Sequence, residues 1–389
     1  MRVAGIYVHI PFCKSRCKYC DFFSTTMLER REEYVQALLR EMQQRKDYLH
    51  CENIHTVYLG GGTPSMLTSE QIGTVLEGLR SEFAIDADAE ITLEANPSDI
   101  TPSVLADWRR MGFNRLSIGV QSFDDEMLRK IGRRHNGEQA KKAVREAQEA
   151  GFRNISIDLI YGLPEQTMEE WKGEIEQALA LDIQHVSAYC LSYEEGTELT
   201  RQLRNKEIKE VDEETENAMY DYLTETLEKH GLLRYEVSNF ALAGFESQHN
   251  SSYWNGTPYL GLGAGAHSYD TESRQWNVGN LEEYIKGVTE GDVYFEREAL
   301  TKDDRYNEYI MLKIRTRDGL FLSKVARPLQ DRCKKVAKTY IQNGQLKVVH
   351  PAGFQSNGNA TDEIDSETRL VATQEGIHIL NRIIEDLMI

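Results

Sequence analysis

Tyr7-Val8-His9-Ile10-Pro11-Phe12-Cys13-Lys14-Ser15-Arg16-Cys17-Lys18-Tyr19-Cys20-Asp21-Phe22-Phe23 carries three of the six cysteines of the chain, spaced C-x3-C-x2-C directly after an apolar run. An iron–sulfur cube offers four irons, and in ferredoxins four cysteines usually cap them. Three thiolates on one loop leave one iron open, an arrangement suited to binding a small molecule rather than storing an electron. Zinc is the competing reading, with His9 completing a tetrahedral donor set. A disulfide framework fits poorly, because no secretory signal is visible and cytosolic thiols stay reduced.

Around this loop the chain reads as alternating strands and helices. Apolar runs at 6–10, 56–59, 90–95, 115–120, 155–160 and 185–190 have strand character. Between them lie amphipathic stretches at 29–48, 69–83, 102–111, 138–150 and 168–181. Thr68 with Gln71 forms a capping-box pattern, and Thr101-Pro102 places a cap before a proline in the first turn. Gly112 and Gly151 stand where helices end. Six such units in succession predict a parallel sheet with helices outside it.

A polar, acidic stretch at 201–216 interrupts the pattern before a helix at 215–229, a strand-like run at 235–240 and a glycine- and aromatic-rich segment at 245–276. From about residue 292 helical segments are expected at 305–316, 322–329 and 333–343. A strand at 345–349, a polar loop at 355–365, a run at 368–373 and a last helix at 375–387 follow. Helices followed by a short hairpin predict a smaller, winged-helix-like α+β unit. The expected divisions are 1–240, a connecting segment 241–290, and 291–389.

A chain of 389 residues is long enough for one large domain and a smaller one, since single cores rarely grow past roughly 250–300 residues. Its net charge of −18 argues against a nucleic-acid surface and leaves a peripheral membrane contact open. No apolar run approaches the ~20 residues of a membrane span. No targeting segment is visible, so a cytoplasmic protein is expected.

On a β/α scaffold, chemistry collects where strands end. Gly60-Gly61-Gly62-Thr63-Pro64 follows the second strand, and consecutive glycines let backbone N–H groups approach a ligand. Glu94 and Asp158 are acids inside apolar runs and need partners if buried. Gln121 follows the fourth strand, and Arg133 lies in Gly132-Arg133-Arg134-His135. A ligand with an amine, a carboxylate, ribose hydroxyls and an adenine would suit them all.

The cysteine stretch resembles the signature of radical S-adenosylmethionine (SAM) enzymes. In those enzymes the amino and carboxylate groups of SAM chelate the open iron, and reduction of the cluster yields a 5′-deoxyadenosyl radical. Together with Gly119-Val120-Gln121-Ser122-Phe123 and Asp158-Leu159-Ile160-Tyr161-Gly162-Leu163-Pro164, the chain is similar over nearly its whole length to the oxygen-independent coproporphyrinogen III oxidase family. The resemblance implies a partial (β/α)6 barrel and a [4Fe–4S] cluster held by Cys13, Cys17 and Cys20. It implies a SAM site lined by Tyr7, Tyr19, Gly61, Gly62, Thr63, Glu94, Gln121, Arg133 and Asp158.

The pattern departs from the oxidases of that family. Phe22 stands where they carry a further cysteine, and five residues precede the first strand where they have a long extension. His249-Asn250-Ser251-Ser252-Tyr253-Trp254 matches the H-N-x-x-Y-W pattern of the family's heme-chaperone branch. That branch implies heme as a third cofactor with His249 as its axial ligand, flanked by Tyr253, Trp254 and Tyr259. Its implied partner is an apo-haemoprotein acceptor, such as a respiratory-chain enzyme, and His267 is a weaker ligand candidate. The alternatives are radical-driven oxidative decarboxylation of two propionates of coproporphyrinogen III to vinyl groups, begun by hydrogen abstraction by the adenosyl radical, and a cluster-bearing regulatory protein without heme; the sequence does not name the electron donor to the cluster. Cys51, Cys190 and Cys333 are isolated and are assigned no chemistry.

Overall fold

Residues 3–50, 53–350 and 367–389 are described in a computed structural model. The expected loop at 355–365 and Cys51 lie outside them. The first half of the chain runs β1 (Val3–Ile10), α1 (Arg31–Arg45), β2 (Asn53–Gly61), α2 (Ser69–Glu82), β3 (Ile85–Ala95), α3 (Pro102–Met111) and β4 (Arg115–Gln121). It continues through α4 (Asp125–Lys130), α5 (Gly137–Glu149), β5 (Ile155–Tyr161), α6 (Met168–Leu179) and β6 (His185–Cys190). These six strands lie side by side in chain order, all parallel.

Parallel strands covered on both faces read as continuous apolar runs rather than alternating ones, and β1 is buried at nearly every position. Helix starts are fixed by local chemistry. Thr68, Asn136 and Thr167 each form a complete capping box, and Thr101 accepts from the Val104 N–H ahead of Pro102. Gly112 closes α3 in the left-handed conformation at φ 100°.

The sheet does not close on itself. Beyond β6 the chain forms α7 (Glu198–Arg204), α8 (Glu213–Lys229) and a hairpin of β7 (Leu233–Glu236) and β8 (Asn239–Ala241), with β8 antiparallel to β6. Then α9 (Gln248–Asn255) leads to β9 (Tyr259–Leu262), which joins the free side of β1 in parallel. The antiparallel β10 (His267–Tyr269) and β11 (Ser273–Asn277), α10 (Leu281–Glu290) and β12 (Phe295–Ala299) extend that side. The result is one twelve-stranded sheet with a partial six-strand barrel at its centre, as expected.

The extension is fastened to the barrel by a buried carboxylate. Glu41 of α1 is fully buried and accepts hydrogen bonds from Arg45 Nη1 at 3.3 Å, Gly263 N at 2.7 Å, Asn277 Nδ2 at 2.7 Å and Tyr284 OH at 2.6 Å. A buried charge is tolerated when it is paired and hydrogen-bonded in this way.

The remaining described residues form α11 (Lys302–Lys313), β13 (Leu320–Phe321), α12 (Arg327–Gln342), β14 (Leu346–Val349), β15 (Arg369–Ala372), α13 (Gln374–His378) and α14 (Leu380–Leu387). The strands pair antiparallel in the order β13-β15-β14, the expected helices with a small hairpin-bearing sheet.

Three local readings differ from the structure. The helix expected at 322–329 is a single 3-10 turn, Leu322–Lys324, followed by a new start at Arg327 with Pro328 in the first turn. Proline disfavours helical backbone in the residue before it and lacks a donor, so it opens a helix rather than continuing one. The acidic stretch hides the end of α7, and α4 is too short to show a period. The large sheet also runs past residue 290, because β12 pairs along its length with β11. Glu296, Arg297 and Glu298 keep that edge strand exposed, and such charged edges give no apolar face to read.

Candidate functional site

The cysteine loop leaves β1 at Pro11 and is pinned at both ends. Phe12 is fully buried and meets the Tyr34 ring edge-on at 5.4 Å. Thr25 N–H donates to Pro11 O at 2.7 Å and Cys13 N–H to Thr25 O at 2.9 Å. The middle is held from the side, by Lys18 N–H on Ile131 O at 3.0 Å and Leu199 N–H on Lys18 O at 2.9 Å. Cys13 is buried and Cys17 and Cys20 are half-buried, all three as free thiols.

These thiols open into a cavity of about 420 Å³ at the carboxyl ends of the strands. Tyr19, Gly61, Gly62, Thr63, Glu94, Gln121, Arg133 and Asp158 also line it, so the structure gathers eight of the nine residues expected around a SAM molecule. Tyr7 lies behind them, with its hydroxyl 3.1 Å from His9 Nδ1 and its ring stacked on Tyr58.

The donors on the wall are held in place. Thr63 Oγ1 is 3.4 Å from Cys13 Sγ. Arg133 donates from Nη1 to Cys17 Sγ at 3.4 Å and from Nη2 to Gly119 O at 2.5 Å, while its buried Nε has no partner. Glu94 accepts from Tyr58 OH at 2.7 Å and from Gly61 N–H at 3.1 Å. Asp158 accepts from Ser117 Oγ at 3.2 Å. Gln121 takes φ 68° where the β4–β5 register shifts, a bulge that re-aims a side chain at a cost in backbone strain.

The glycines serve a different purpose from the one expected. A side chain on Gly61, at φ 108°, would meet the His9 ring at 2.4 Å, and one on Gly62 would meet the Pro11 backbone at 2.8 Å. They let the end of β1 and the start of the cysteine loop pass close beside β2 while still lining the cavity, and the Gly61 N–H donates to Glu94.

Burial sets the electrostatics. It raises the Glu94 carboxyl to about 7, against the lowering effect of Tyr58, and it raises Asp158 against Ser187, Arg115 and Ser117. It also raises the Cys13 and Cys20 thiols, so these sulfurs become thiolates only with a cation to stabilise them, and a bound metal does this outright. Arg133 stays firmly cationic: burial opposes its charge, and Tyr19 and Cys17 more than restore it.

The donor set suits an iron–sulfur cluster better than zinc. One zinc ion needs four donors around a single point, and among the described residues no three His, Cys, Asp or Glu side chains are so gathered. His9, the fourth donor of that reading, has Nδ1 against Tyr7 OH and Nε2 3.0 Å from Phe23 O. Burial lowers its imidazole to about 4. Three thiols around a roomy cavity, with an unpaired buried guanidinium N–H on its wall, fit a cluster and an anionic ligand group beside it.

His249 is placed elsewhere. It lies on α9, at the end of the barrel where β1 begins, and it is 1% exposed. Its Nδ1 is 2.8 Å from Thr56 Oγ1 and its Nε2 2.9 Å from Tyr253 OH. The ring stacks on Tyr58 at 5.0 Å between centroids. Neither nitrogen is free for iron in this structure, which departs from the expected axial ligation.

Tyr58 and Arg115 are site residues that the sequence reading missed. Tyr58 holds Glu94 from below. Arg115 is 1% exposed with Nε and Nη1 unpaired, and its charge lowers the carboxyl values of both Glu94 and Asp158. A tyrosine and an arginine at strand positions are common, and only their placement on the inner face marks them.

Comparison with known proteins was made against this geometry. The pattern of the radical SAM superfamily matches residues 7–178. The protein named heme chaperone HemW from Lactococcus lactis subsp. lactis is 38% identical over 320 residues, 82% of this chain and 83% of that one. Its namesake from Bacillus subtilis is 36% identical over 347 residues, 87% of this chain and 92% of that one. Among solved structures, coproporphyrinogen III oxidase (HemN) from Escherichia coli, described as a radical SAM enzyme, superposes with a TM-score of 0.82 at 25% identity. That match covers 100% of this chain and 90% of that one.

Proposed function

The chain belongs to the radical SAM superfamily and to the family of proteins named heme chaperone HemW, and on that premise we propose that it binds a [4Fe–4S] cluster, SAM and heme and hands heme to an apo-haemoprotein. Radical SAM membership implies the first two cofactors. The observation that carries the reading is the single cavity that joins three free thiols to Glu94, Gln121, Arg133 and Asp158.

In this reading Cys13, Cys17 and Cys20 hold the cluster. Thr63 and Arg133 support the sulfurs of Cys13 and Cys17, and hydrogen bonds to cluster sulfurs tune the reduction potential. Glu94 is the acceptor for the amino group of SAM. Arg133, with Nε unpaired, is the donor for its carboxylate. Gln121 and Asp158 offer polar partners to ribose and base, Tyr19, Gly61 and Gly62 complete the wall, and Tyr7 packs behind it. When bound, a reduced cluster of this kind supplies one electron to SAM.

Phe22 in place of a cysteine and the His249 hexapeptide favour the chaperone over the oxidase. The fold likeness to the Escherichia coli oxidase favours the second reading, decarboxylation of coproporphyrinogen III. Among the described residues no helix is long and apolar enough to cross a membrane, and the proposed setting is the cytoplasm.

Reconstituted protein with SAM, a reductant and coproporphyrinogen III, assayed anaerobically, separates the two. The expected result is no protoporphyrinogen above the no-protein control, together with saturable uptake of heme. Turnover above that control would move the assignment to the oxidase.

A further inference from the structure

The inner face of the barrel does not stop at β1. Through the parallel β1–β9 pairing and the antiparallel β10 and β11 it continues sideways, with Tyr7 beside Gly261 and His267 beside Trp276 in register. There the surface opens: His267 is exposed, and Trp276 and Tyr269 are half-buried.

We infer that the axial ligand for heme iron is His267, on this open aromatic face, with the Trp276 ring beside it. The inference rests on the heme-binding reading above and names its site. An axial imidazole must present a free nitrogen lone pair to the metal. His249 has none, since Thr56 and Tyr253 occupy both nitrogens of a ring that is 1% exposed. His267 hydrogen-bonds through neither nitrogen to another described residue. Its ring is tilted 26° from the Trp276 indole at 6.2 Å between centroids, and the residue is exposed.

The surroundings suit a flat apolar macrocycle. Phe22 is 64% exposed at the lip of the thiol-lined cavity, and a side chain on Gly265 would meet the neighbouring Phe23 at its Cβ at 3.4 Å and at its ring at 3.5 Å. The cysteine loop and the β9–β10 turn are therefore neighbours, which sets the strand that opens with His267 close behind that loop. No other described histidine combines these features. His9, His135 and His185 are buried, His55 and His378 pair with aspartates, neither His50 nor His230 has a described aromatic ring contact, and His350 directly follows β14 of the small C-terminal sheet.

The test is an anaerobic hemin titration of the full-length protein, read by Soret absorbance and by the low-temperature spectrum of the iron. Wild type is compared with His267→Ala, His249→Asn and, as an exposed-histidine control, His230→Ala. Wild type and His230→Ala are expected to saturate at one heme per chain with an imidazole-ligated spectrum, and His249→Asn to keep that spectrum. His267→Ala is expected to lose it and to bind at least about tenfold more weakly. Because His267 is exposed, a thermal melt of His267→Ala matching wild type verifies its folding. An unchanged spectrum in His267→Ala overturns the inference, as does loss of the imidazole signature in a folded His249→Asn. Absence of saturable heme uptake by wild type instead defeats the heme reading itself.

Discussion

Replacing any one of Cys13, Cys17 and Cys20 with alanine is expected to strip the reconstituted protein of essentially all its cluster iron, from about four irons per chain to near none. The three thiols are the sulfur donors of one pinned loop, so none has a neighbour that can move into its place. Cys190 is the one further described cysteine on the cavity wall. It stands at the end of β6, on the opposite side of the curved sheet from the loop that follows β1. Cys190→Ala and Cys333→Ala are therefore expected to keep full iron and full visible absorbance. Iron analysis with anaerobic absorbance spectra checks both halves. Full iron in Cys17→Ala, or its loss in Cys190→Ala, contradicts the assignment.

The second large effect concerns Glu94. An amino group held on the open iron donates its N–H to the buried Glu94 carboxylate, and a hydrogen bond to a charged group contributes about 1.5–3 kcal/mol, or roughly tenfold and upward in affinity. Glu94→Gln keeps shape and burial while removing the charge, so SAM binding by calorimetry is expected to weaken by at least about tenfold. The pH dependence follows from the same group. Its carboxyl sits at about 7 in the folded protein, raised mainly by burial. As pH falls below that value the site takes up a proton before it can pair with an amine. Wild-type affinity is then expected to drop about tenfold per pH unit below neutrality and to level off above it. Glu94→Gln should lose that tenfold-per-unit step and keep only the dependence that the amine's own proton gives both proteins. The same slope in the variant would assign the titration to another group and remove Glu94 from the amine site.

The barrel was legible because parallel strands bury both faces. Six apolar runs with capped helices between them leave little freedom of assembly, and the runs expected to end at Ile10, Ala95, Val120 and Ile160 form strands ending at Ile10, Ala95, Gln121 and Tyr161. The thiol-lined cavity was legible for the same reason, since Glu94 and Asp158 stand out as acids within those runs. The failures share a cause. Gly61 and Gly62 look alike whether they admit a ligand or a passing loop, and only the His9 ring and the Pro11 backbone beside them decide it. Arg115 opens a strand where charged residues are ordinary, yet the sheet turns it inward. His249 sits in a motif rich in aromatic residues, but α9 turns its ring into the barrel beneath Tyr58. The open face bearing His267 exists only because β9 adds to β1 in parallel, a pairing between segments some 250 residues apart that local pattern does not reveal.

The most direct test of the central claim is the electron paramagnetic resonance spectrum of the anaerobically reconstituted, reduced protein before and after SAM is added. An iron cube held by three thiolates, with its fourth iron open beside Glu94 and Arg133, predicts a paramagnetic cluster signal that SAM shifts at a stoichiometry of one per chain. A signal that SAM leaves unchanged, or protein that takes up zinc and no iron, would contradict the account at its root.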